Sequence, residues 1–191
     1  MSTRLKKNAN PYKVIGDFFS FASMSQHRKF IYSMLEAAYS EDYWRKSYPG
    51  VVLLYQEQIE KLIKAIHKIL REDKNNTNRR RVVLTDKKSV HHTIDPASYF
   101  GKHKGDAMWA FFPRHLSGKE FIDPYQALEK CFEFMSLKEW LLGLRELVFY
   151  ALSPNGNESA LDFDFLKINN LLQKLIEASH LILVRLAEDK P

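Results

Sequence analysis

Between residues 51 and 73 the chain reads VVLLYQEQIEKLIKAIHKILRED, and its apolar residues fall on one helical face. Val52, Tyr55, Ile59, Leu62, Ile66 and Ile69 advance by alternating steps of three and four. Ile63 and Leu70 widen that stripe, while Glu57, Glu60, Lys61, Lys64 and Lys68 occupy the opposite side. A strand would demand a period of two, so this segment buries its apolar side only as an amphipathic helix. Glu57–Lys61 and Glu60–Lys64 are acid-first i,i+4 pairs that add about 0.3 to 0.5 kcal/mol each.

A helix of that kind needs partners, and the sequence supplies them. Asn10-Pro11 has the form of a cap followed by proline in the first turn, predicting a helix from about Pro11 to Ala22 that buries Val14, Ile15, Phe18 and Phe19. Ser25 is expected to start a second, with Phe30, Ile31, Met34, Leu35 and Ala38 at helical spacing. Ser40 can cap a short third piece that Pro49-Gly50 would end. Asp123-Pro124 opens a helix bearing Tyr125, Leu128, Phe132 and Met135, and Ser136 with Glu139 forms a capping box ahead of LKEWLLGLRELVFYAL. After the turn cluster SPNGNES, a last helix from about Asp164 to Ala187 carries Phe165, Ile168, Leu172, Leu175, Ile182 and Leu186 in heptad-like steps, with Ser179 the polar exception.

These elements predict a mainly α fold: a single domain over 1–191, built as a helical bundle of three to four long helices plus shorter ones. The heptad-like stripes also suit a homodimer seam, although packing within one chain is the commoner use of such stripes. Aromatic and aliphatic content is globular, with 13 Phe, 9 Tyr and 3 Trp in 191 residues. Cys131 is the single cysteine, which rules out an internal disulfide and a four-cysteine zinc site. Polar residues interrupt the N-terminal segment, and no apolar run is long enough to span a bilayer, so the expectation is a cytoplasmic chain with no membrane partner.

From about 74 to 105 the helical period breaks. Arg80–Thr85 and Ser89–Ile94 are β-branched runs flanking Asp86-Lys87-Lys88, which predicts a basic, hairpin-like excursion around residues 79–94 within a non-helical insertion. Charge concentrates there. Residues 74–105 hold 8 basic and 2 acidic side chains, whereas 106–191 hold 9 and 13.

Arg79, Arg80, Arg81, Lys87, Lys88, Lys102 and Lys104 are therefore the candidates for contacting a nucleic acid or another polyanion, since phosphate binding accumulates over several cations. Strand geometry would put Arg80 on the face opposite Arg79 and Arg81, so one face at most serves. The competing reading is a solvated connection whose charge protects a strand edge. His91, His92 and His103 with Asp95 and Asp106 contain donor types of a metal site, yet adjacent strand histidines diverge and no helical His spacing occurs; no metal and no cofactor is expected. A second candidate is an aromatic ligand pocket between helices at Trp109, Phe111, Phe112 and His115, with His103 or His115 as an acid/base group. No spacing identifies a catalytic unit. The sequence thus reads as a non-enzymatic protein acting by macromolecular interaction, with an enzyme or small-ligand-binding protein as the alternative.

Overall fold

The computed structural model describes residues 10–39, 44–74, 82–83, 112–153 and 164–188. Seven helices make up most of this, and none of the described residues is in a strand. They are α1 (Pro11–Phe21), α2 (Met24–Tyr39), α3 (Pro49–Lys74), α4 (Gly118–Ile122), α5 (Pro124–Phe134), α6 (Leu137–Leu152) and α7 (Phe165–Glu188). The expected excursion at 79–94 lies outside the described residues except for Val82 and Val83, which have no regular structure.

Helix ends follow the local chemistry. Asn10 Oδ1 accepts the N–H of Tyr12 at 3.0 Å and Pro11 fills the first turn of α1, where its missing donor costs nothing. Helix α2 starts one residue before Ser25 because Ser23 is the cap: its N–H donates to Gln26 Oε1 at 2.8 Å and its hydroxyl accepts the N–H of Gln26. Pro49, expected to close a short helix, instead opens α3, and Trp44–Tyr48 is irregular. Asp123 caps α5, and Ser136 with Glu139 closes a complete capping box on α6. A second box, Ser117 with Glu120, holds the five-residue α4.

The stripe that defines α3 is buried as its spacing requires: Val52, Ile59, Leu62, Ile63 and Ile66 are essentially inaccessible, and each contributes roughly 1.5 to 3 kcal/mol on burial. Helix α3 packs on α1, α5 and α6. Trp44 N–H donates to Ala151 O at the end of α6, and Arg145 Nε meets Glu60 further along, so α3 and α6 run antiparallel. Helix α7 contacts α1, α2, α4, α5 and α6, with Leu172, Leu175, Ile176, Leu181 and Ile182 in the common core. Trp140, fully buried, donates its indole N–H to Cys131 O at 3.1 Å and locks the α5–α6 corner. Among the described residues no helix is long and apolar enough to cross a membrane.

Candidate functional site

Helix α7 carries a second pattern beside its apolar stripe. Asn169, Gln173 and Glu177 recur every four residues and are all buried, and Arg185 is buried two turns further on. Burying a carboxylate costs several kcal/mol unless it is fully paired, so Glu177 needs a complete set of donors. It has them. Oε1 accepts from Arg28 Nη2 at 2.5 Å and from His115 Nδ1 at 2.9 Å, while Oε2 accepts the N–H groups of Arg114 at 3.0 Å and His115 at 2.8 Å. Burial pushes the carboxyl pKa up, but the His115 ring, the Arg28 charge and the two backbone donors outweigh it and bring it below the usual carboxylate value. Arg28 also donates to Phe112 O at 2.7 Å, so one buried ion pair fixes Phe112 through His115 against α2 and α7.

Glu120 is the second buried carboxylate. It accepts Ser117 N–H at 2.8 Å, Lys130 Nζ at 2.9 Å and Lys174 Nζ at 3.0 Å. Burial again works against the charge, yet the Ser117 N–H, the two ammonium groups and the Ser117 hydroxyl hold its pKa down at about 2. The fastening is completed by Arg185, whose guanidinium donates to Ile122 O at 3.1 Å, to Phe121 O and, at 3.5 Å, to Val82 O. Tyr125 adds a hydrogen bond to the Val82 backbone.

These contacts attach the chain at one point within the basic segment and at another beyond its end. The chain is tied to α7 where it passes Val82, and tied again at Phe112–His115, with the segment 84–111 between these two fastenings. Arg79, Arg80, Arg81, Lys87, Lys88, Lys102 and Lys104 lie outside the described residues, as do His91, His92, His103, Trp109 and Phe111. Phe112 and His115 are described. The Phe112 ring lies 6.4 Å from that of Phe121, and Phe112–Leu116 is not helical. His115 is about one-third exposed, with its Nδ1 on a carboxylate that is wholly buried.

Sequence reasoning missed Arg28, Glu120, Glu177 and Arg185, although a glutamate and an arginine inside the apolar run of α7 were a usable signal. Cys131, the single cysteine, is buried, and burial pushes its thiol pKa up to about 12. Among the described residues no three His, Cys, Asp or Glu side chains gather as a metal would require. Compared with known protein families, with curated proteins and with solved structures, the chain matches none.

Proposed function

We propose that this chain acts without catalysis, by macromolecular interaction, and that residues 74–105 are its contact for a nucleic acid or another polyanion. The observation that carries the proposal is the concentration of charge: 8 basic side chains against 2 acidic ones in that segment. The fastening of Val82 to α7 supports it, because it anchors the chain directly between Arg79–Arg81 and Lys87–Lys88, and an anchored segment loses less entropy on binding than a free tail.

The test is fluorescence anisotropy with labelled single-stranded RNA, duplex DNA and heparin across a salt series. Replacing Arg79, Arg80 and Arg81 together by Ala should weaken binding and reduce the salt slope by about 0.9 for each duplex phosphate that is no longer neutralised. Affinity and slope both unchanged would remove the arginines from the interaction.

The alternative, an aromatic pocket at Trp109, Phe111, Phe112 and His115, keeps one supporting observation: a buried carboxylate orients the His115 imidazole, as acid/base histidines require. Reaction of His115 with diethylpyrocarbonate at neutral pH checks it, since an imidazole closed to the reagent is closed to substrate. Homodimerisation through helical stripes is a further proposal. The seams of α3 and α7 are largely used inside the chain, leaving Leu53, Leu142, Phe149 and Leu166 exposed for it. Sedimentation velocity across a concentration series decides, and a monomer throughout refutes it.

A further inference from the structure

A cleft of about 610 Å³ opens between the C-terminal half of α3 and the α5–α6 corner. Its size is that of a small-molecule site. Leu70, Phe132 and Leu137 give it an apolar floor, and the His67 ring stands 5.4 Å from that of Phe132. The two walls carry opposite charge. Arg71 and Lys74 come from α3, and Glu129 and Glu133, one turn apart, come from α5.

Facing groups of opposite sign usually close on each other, yet among the described residues no ion pair within 4.0 Å joins Arg71 or Lys74 to Glu133. These charges are thus presented across an open space with an apolar base. A ligand carrying only an anion would meet the acidic wall of α5, and one carrying only a cation would meet the basic wall of α3. The arrangement is complementary to a molecule with both charges at its ends and an apolar middle. A volume of about 610 Å³ lies within the roughly 300 to 1,000 Å³ of small-ligand sites, which suits a peptide of two or three residues.

We propose that the cleft between α3 and α5 binds a short zwitterionic peptide of two to three apolar residues, its carboxylate at Arg71 and Lys74 and its ammonium at Glu133. Of the eight basic side chains in 74–105 only Lys74 is shared with this cleft, and the Arg79, Arg80 and Arg81 replacement that tests polyanion binding leaves Arg71, Lys74 and Glu133 in place, so the two proposals fail separately. Apolar side chains of the peptide lie on Leu70, Phe132 and Leu137, and the termini supply direction: reversal would put like charges together on both walls.

Titration calorimetry of the full chain with a panel of free apolar di- and tripeptides, trileucine among them, tests the proposal. N-acetylated, C-amidated and doubly blocked forms accompany each peptide. Blocking either end should weaken binding about threefold to fivefold, the worth of a solvent-exposed charge pair. The paired variant R71Q/K74Q should weaken the free peptide but leave the amidated one unchanged, and E133Q should do the converse with the acetylated one. These residues are solvent-accessible enough for the variants to fold, which far-ultraviolet circular dichroism verifies. No binding by any free peptide at millimolar concentration, or equal binding of free and doubly blocked forms, would overturn the proposal.

Discussion

Arg28 and Glu177 stand 149 residues apart in the chain and 2.5 Å apart in the fold, with the carboxylate fully buried and the guanidinium nearly so. Their pairing joins α2 to α7, and the remaining donors of Arg28 and acceptors of Glu177 hold the residues that close the basic insertion.

Removing one partner of such a pair is worse than losing the attraction, because the other charge stays in the interior. Glu177→Ala should therefore lower stability by about 3 to 5 kcal/mol, read as a shift of the urea midpoint. Glu177→Gln keeps shape and one carbonyl acceptor and should cost less. Equal stability of wild type and Glu177→Ala would show that Arg28 finds water in place of the carboxylate.

Acid should destabilise the fold in two stages. His27 is buried with its ring stacked on Phe18 at 3.8 Å, and burial lowers its pKa from 6.5 to about 4 against the opposing pull of the Phe18 and Ala22 backbone. A depressed histidine takes up its proton first in the unfolded chain, so stability contributed by neutral His27 is complete above pH 6.5 and falls between 6.5 and about 4. Glu120 follows: its carboxylate contributes stability above its unfolded value of 4.5, lost as pH drops towards about 2. Urea midpoints measured from pH 8 to pH 2 should show both slopes. His27→Gln should reduce the upper one, leaving the part that belongs to His67, whose pKa burial also lowers, and Glu120→Gln should flatten the lower one.

Burial also separates structural from surface apolar residues. Leu172→Ala empties space in the centre of the core and should cost about 2 to 5 kcal/mol, whereas Phe149→Ala, at a side chain 62% exposed, should stay within about 0.5 kcal/mol. Thermal unfolding followed by circular dichroism distinguishes them. A large loss at Phe149 in a concentration-dependent transition would instead mark it as part of a self-association surface.

Cys131 should behave as core. With its thiol buried and its pKa pushed up to about 12, almost no thiolate exists at neutral pH. A thiol-reactive disulfide reagent should leave the native chain unlabelled and react fully in denaturant. Fast labelling in the native state would mean that the packing of α5 on α7 opens.

The helices with matching caps and stripes were legible in the sequence. Asp123-Pro124 and Ser136…Glu139 each combine a terminus signal with a run of period 3.6, and both mark the observed starts. Pro49 misled because proline signals a helix stop and a first helical turn equally well, and only packing of the following stripe decides. Helix α4 went unseen because five residues are too few to show a period, even though Ser117 and Glu120 form a cap pattern. Glu177 stood out in its apolar run, but its partners were illegible for a different reason. Its donors come from residues 28, 114 and 115, and nothing local in α7 says which distant groups will meet it.

The fastenings at Val82 and at Phe112–His115 are made to residues eight positions apart on one helix, about 12 Å at the usual rise. Both attachments therefore ride on one rigid element, so a substitution that frays or shifts the C-terminal half of α7 reaches the chain at Val82 and at Phe112–His115 together.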